Sequence, residues 1–248
     1  MKNLITALSI LAVCTIGLGN ANALSFLQDW QLDADGAGGV TAPVIGELFD
    51  TVGTTFVTNT YSDATNFTFT ETASFISPTY LSPTFVTTTW PFDGVLSAEF
   101  VGTGSGTTSG DLIFDTGTLE MFFTPTVGSA ATLGTFNLLD GYATLDGQAV
   151  PNGLITTLFE ATALTTDVWF DNAGTDLSTL SPIQFVLGFA TTNASLVTET
   201  VVGNIQDLVI SNNGQFRVAV VPEPSTFLLL GGGLLGLGFM ARRKKNQA

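Results

Sequence analysis

The stretch Phe67-Thr68-Phe69-Thr70-Glu71-Thr72-Ala73-Ser74-Phe75 decides the fold class. Phe67, Phe69, Ala73 and Phe75 fall on one face, and Thr68, Thr70, Thr72 and Ser74 on the other. A side-chain period of two is that of a strand with one face buried. Thr84 to Trp90 continues in the same style between Pro83 and Pro91. Val95 to Val101 and Asp111 to Phe114 flank the run from Gly102 to Gly110, which reads as a long hairpin tip. That run has no lysine, so it is not a phosphate-binding loop.

Further strands are expected at Thr118 to Thr124, Thr135 to Leu139, Tyr142 to Leu145 and Leu154 to Thr162. Asp140-Gly141 and Asp146-Gly147 between them are turn dipeptides. Val168 to Phe170, Ile183 to Ala190 and Phe216 to Val221 complete the series. No sustained helical stripe lies between residues 60 and 190. Ala194 to Leu208 fits either period, and Val44 to Asp50 allows a short helix. The expected fold is all-β: one antiparallel β-sandwich of jelly-roll-like form over residues 24–220.

The two ends differ from this domain. Lys2 opens a short positive segment, Leu4 to Leu18 is mostly apolar, and Ala21-Asn22-Ala23 offers the small residues a signal peptidase reads. Residues 1–23 are therefore expected to be a signal peptide, cleaved after Ala23. Cys14 is the only cysteine, and Val13 before it is wrong for lipidation. The exported domain then holds itself together without disulfides.

At the other end, Val221-Pro222-Glu223-Pro224-Ser225-Thr226 precedes an apolar, glycine-rich run, Phe227 to Ala241. The basic cluster Arg242-Arg243-Lys244-Lys245 follows. The prolines keep the first part extended and accessible. The apolar run is expected to form a transmembrane helix, and the cations hold its end on the cytoplasmic side. At 1.5 Å per residue it reaches only about 22 Å, short of a stable span, which suits a transient anchor.

Proline motif, apolar helix and basic tail in this order resemble the PEP-CTERM sorting signal of Gram-negative bacteria, here over residues 221–245. The resemblance implies that an exosortase recognises Pro222-Glu223-Pro224, so the chain is that enzyme's substrate. It also implies export, passage through the inner membrane, and a final place at the cell surface or in the extracellular matrix.

Charge sets the partners. Between Leu24 and Val221 there are twenty acidic residues and one cation, Arg217, leaving about −19. Such a domain offers nothing to displace phosphate counterions, which excludes nucleic acid. The chain has no histidine, which removes the usual general base near neutral pH and the commonest transition-metal ligand. A serine nucleophile lacks a base as well, since no lysine lies in the domain.

The remaining candidates are oxygen-rich or aromatic. Asp33-Ala34-Asp35-Gly36 has the opening spacing of a calcium loop, although Val44 stands where a bidentate glutamate belongs. Asp33 and Asp35 are thus candidate calcium ligands, and no other cofactor is expected. Asp171 to Asp176 is a second such loop. Glu99, Glu120, Glu160 and Glu199 are the carboxylates from which a glycosidase pair would come. Trp30, Trp90, Trp169, Tyr61, Tyr80 and Tyr142 are candidates for stacking on sugar rings.

Phe75-Ile76, Gly94 to Phe100 leading into Gly102 to Gly106, and Leu112 to Phe123 resemble the flocculation-associated PEP-CTERM proteins. That likeness implies a non-catalytic protein that helps cells aggregate within exopolysaccharide. A carbohydrate-binding module without catalysis, or an exported glycan-active enzyme, are the alternatives.

Overall fold

Long runs of alternating threonine, valine and phenylalanine leave little room for anything but long strands. The computed structural model describes residues 25–36, 42–108, 111–145, 153–180 and 185–220. Phe26 to Val220 form one unit. Three short strands come first: β1 (Ser25–Phe26), β2 (Trp30–Leu32) and β3 (Val44–Ile45). The long strands β4 (Leu48–Tyr61) and β5 (Asn66–Leu81) are followed by short β6 (Thr87–Thr89). Then come β7 (Gly94–Thr107), β8 (Asp111–Pro125), β9 (Ala131–Leu145) and β10 (Gly153–Leu164). Short β11 (Trp169–Phe170) precedes β12 (Phe185–Val202) and β13 (Ile205–Val220).

The eight long strands pair antiparallel with their neighbours in chain order, from β4 round to β13. Strand β13 then pairs with β4 through thirteen register positions, from Ile205 opposite Thr60 to Arg217 opposite Leu48. The sheet is therefore a closed, up-and-down barrel. The expected all-β, antiparallel class is correct and the sandwich is not. A meander of hairpins brings the last long strand beside the first, and closure leaves the ring no unpaired edge.

Two tight turns fix the ring's register. Gly203-Asn204 joins β12 to β13 with Gly203 at φ +64°, the left-handed backbone such a hairpin needs. Between β4 and β5, Asp63 accepts from the backbone N–H of Thr65 and of Asn66, both at 2.8 Å. The Asn66 side chain and these bonds hold its carboxyl well below the usual range.

Four local expectations change. Val44 to Asp50 holds β3, a bend and the start of β4, not a helix. Ala194 to Leu208 is the β12–β13 hairpin. Asp140-Gly141 lies inside β9, beside a register shift that leaves Leu139 unpaired; the turn dipeptide serves a bulge. The glycine run continues β7 as far as Thr107. Gly102, Gly104 and Gly106 alternate along it, and a Cβ at each meets the rings of Phe100, Phe69 or Phe67, or the side chain of Leu112. These glycines are the concave half of the packing, supplying space where neighbouring strands supply rings.

One end of the barrel is sealed. The small sheet β11-β2-β3 brings Trp169 and Trp30 together, stacked at 5.8 Å between ring centroids. Phe49, Phe136 and Phe185 surround them. The Trp169 indole N–H donates to the Leu133 carbonyl at 2.9 Å, which satisfies a polar atom that burial would otherwise penalise.

Among the described residues no helix is long and apolar enough to cross a membrane. The expected span at 227–241 and the signal peptide lie outside them.

Replacing Gly104 with alanine drives a methyl into the Ile113 carbonyl and the Phe69 ring. We expect a loss of about 1–3 kcal/mol, the usual cost of overpacking. Exposed Val101→Ala on the same strand should stay within about 0.5 kcal/mol. Urea denaturation of both variants checks this.

Candidate functional site

The middle of the barrel is filled and its far end is not. Phe75, Phe189 and Phe216 pack against one another at 4.8–6.3 Å between centroids. Phe100 meets Phe159 edge-on at 5.7 Å. Beyond this aromatic floor, towards the β4–β5 and β12–β13 turns, the interior opens into a cavity of about 310 Å³. Its wall is chiefly apolar: Val57, Phe67, Phe69, Leu112, Ile155, Leu208 and Ile210. An eight-stranded barrel is wide enough either to be filled by side chains or to hold one small molecule. Here each half takes one solution.

The inward row of β5 runs Phe67, Phe69, Glu71, Ala73, Phe75. Glu71 thus stands in the apolar interior, 8% exposed, where the cavity meets the aromatic floor. Burial alone pushes its carboxyl up to about 8, because a low-dielectric surrounding disfavours the charged form. Below pH 8 it is a neutral acid.

A smaller space of about 20 Å³ continues from Glu71 into the floor, lined also by Thr157 and Asn212. The Asn212 amide N–H donates to the Thr55 hydroxyl at 2.8 Å. Asn212 Oδ1 and Thr157 Oγ1 are buried and have no hydrogen-bond partner. A space of this size fits one water-sized group. Three polar groups therefore converge at the base of an apolar chamber.

Hydrogen bonds order the mouth. Asn59 and Tyr61 both donate to Gln206 Oε1, at 2.9 and 2.8 Å. Gln206 donates in turn to Glu199 at 2.6 Å. Burial, and then the Glu199 carboxylate, raise the Tyr61 phenol.

The residues singled out from sequence fall elsewhere. Trp30 and Trp169 are fully buried in the sealed end, closed to any sugar. Trp90 is half-buried against Phe49, Tyr80 and Phe92 and donates to the Ser77 hydroxyl. Glu99 and Glu120 sit directly opposite one another on β7 and β8, exposed on the outer wall, and Glu160 is also exposed. Glu199 alone of the four borders a cavity.

Asp33 is buried and Asp35 exposed, so the candidate calcium ligands differ in their access to solvent. Among the described residues no three acidic groups gather as metal ligands would. In the second loop, Asp171 accepts from the N–H of Ala173 and Thr175. Asp176 accepts from Ser178 and Asp167. These carboxylates are occupied in shaping the loop. Ala21, Ala23, Val221 to Thr226 and Arg242 to Lys245 lie outside the described residues.

Sequence reasoning missed Glu71, although the signal was present: the period of two that places Phe67, Phe69, Ala73 and Phe75 inside also places Glu71 inside. Thr157 and Asn212 gave no such signal.

Among known families, the PEP-CTERM protein-sorting motif matches residues 220–244. The match begins at the last residue of β13 and takes in the proline motif, the apolar run and most of the basic cluster. The chain therefore carries the signal of an exported protein that passes through the membrane and is processed by an exosortase. No curated protein and no solved structure gives a significant match to the chain.

The Glu71 carboxyl yields a pH dependence whose sign is fixed. Its pKa is about 8 when folded, against 4.5 for an ordinary glutamate in the unfolded chain, so the folded state holds the extra proton between those limits. Stability from this group is full below pH 4.5 and is lost as pH rises to 8. The loss is on the order of 4 kcal/mol. Glu71→Gln should therefore melt above the wild type at pH 8, with the gap closing by pH 4.5. Calorimetry of the pair across this range checks it.

Proposed function

We propose that the chain is a non-catalytic, exosortase-sorted protein of the cell surface or extracellular matrix, and that its barrel promotes cell aggregation within exopolysaccharide. The observation that carries this reading is the sorting motif at 220–244, set behind a single acidic barrel. The outer wall supports it. The one cation among the described residues, Arg217, is engaged with Glu47 at 2.6 Å, so the charge left to a partner is negative. Glu99 opposite Glu120 is a like-charge pair that destabilises the sheet slightly. A divalent cation relieves this repulsion and links copies to one another or to an acidic polysaccharide.

A non-catalytic role is favoured by the chemistry the chain lacks. No histidine is present, no lysine lies between Leu24 and Val221, and the paired glutamates face open solvent. Carbohydrate binding is the second reading, and one observation favours it. An outer-wall groove of about 350 Å³ is bordered by half-exposed Phe26 and Tyr142, with Asp140, Gln215 and Arg217 to make polar contacts.

Purified barrel, residues 24–220, should associate with matrix polysaccharide or with itself better in millimolar calcium than in sodium of equal ionic strength. Light scattering measures this. Glu99→Gln with Glu120→Gln should reduce the calcium effect in part, as expected of a distributed surface. If calcium makes no difference, the acidic wall serves solubility alone. Replacing Pro222-Glu223-Pro224 with alanines should leave uncleaved protein in the membrane fraction, with the barrel folded. Normal release would contradict exosortase sorting.

A further inference from the structure

The open half of the barrel has the features of a built binding site, and none of them is used by the matrix reading. Its volume, about 310 Å³, is at the lower end of small-molecule sites. The wall takes an apolar body. At the base Glu71, Thr157 and Asn212 line one small space, and Thr157 Oγ1 and Asn212 Oδ1 are buried without a hydrogen-bond partner. Asn212 spends its N–H on Thr55, so the atom it leaves is an acceptor. A head group that fits must bring hydrogen-bond donors.

Among the described residues no cation lines the chamber. Among the described residues Tyr61 and Glu199 at the mouth are the other titratable groups lining it, and neither can carry positive charge. The whole domain adds a negative field. An anionic head is repelled on its way in by the Glu199 carboxylate and by this field. An ammonium head carries three donors on a compact centre, enough for Thr157 Oγ1, Asn212 Oδ1 and an ionised Glu71, and the Glu199 carboxylate and this field attract it.

We propose that the barrel binds a small apolar amine, its body in the chamber and its ammonium at Glu71, Thr157 and Asn212. On binding, Glu71 gives its proton to solvent and the carboxylate pairs with the ammonium, so charge is conserved in the site. Because the free carboxyl titrates near 8, most of one proton leaves per ligand bound at pH 7.

Titration calorimetry on residues 24–220 tests this, since the closed ring and its core lie wholly within Phe26–Val220. The probes are octylamine, octanol and octanoate at pH 7, in two buffers of different ionisation enthalpy. Octylamine should bind at least tenfold tighter than octanol, and octanoate weakest, with proton release seen only for the amine. Glu71→Gln should abolish the proton release and cost octylamine at least tenfold, while octanol changes less than threefold. Ala143→Leu, which fills the chamber wall, should weaken octylamine and octanol alike. Equal binding of amine and carboxylate overturns the proposal, as does undiminished amine binding in Glu71→Gln. Undiminished amine binding in Ala143→Leu also overturns it, since the amine is then held by the acidic surface. If Glu71→Gln does not fold, the three-ligand ranking and Ala143→Leu still decide.

Discussion

The pairing of β13 with β4 is the constraint on which everything else rests. Thirteen register positions join the last long strand to the first. Without them the same strands form an open sheet with two unprotected edges, and the inward rows have no opposite wall. With them, one face of every long strand becomes interior. Closure therefore converts an alternating pattern into a core and a chamber at once.

What occupies the interior follows from the inward rows. Near the sealed end they carry Phe49, Phe136, Phe185 and Phe216, with Trp30 and Trp169 laid across from the small sheet. At mid-height Phe75, Phe100, Phe159 and Phe189 fill the ring. Towards the open end smaller or polar residues such as Thr55, Asn59, Ala143 and Ala194 take their place, and glycines alternate along β7. Space is the result. The polar groups at the boundary are not residues that a closed core tolerates easily, and their position at the base of a chamber gives them a chemical use.

The class of fold was legible because a period of two survives in almost every segment, most clearly from Phe67 to Phe75. The architecture was not, because sandwiches and barrels bury the same half of each strand; what separates them is whether β4 meets β13, residues about 150 apart in sequence. Two local misreadings share one cause. Glycine at 102–106 and at 141 ordinarily signals a turn, whereas here it makes room for neighbouring side chains within a strand. The sorting motif was legible from composition and order alone, since its parts act through charge, hydropathy and backbone stiffness rather than through tertiary contacts. The chamber was half legible: Glu71 betrayed itself by its parity, while its partners came from strands that only closure brings together.

Ring closure can be tested by a crosslink at the seam. Thr58 and Asp207 face each other across β4 and β13, with the threonine hydroxyl donating to the carboxylate at 2.7 Å. Residues 24–220 contain no cysteine, so Thr58→Cys with Asp207→Cys introduces a single possible pair. Disulfide formation needs Cα atoms within about 7 Å. A closed barrel predicts near-complete intramolecular crosslinking under mild oxidation, with native strand content retained. An open sheet or a sandwich that parts these two strands predicts free thiols or dimers joined between chains, and that result would contradict the barrel and the chamber with it.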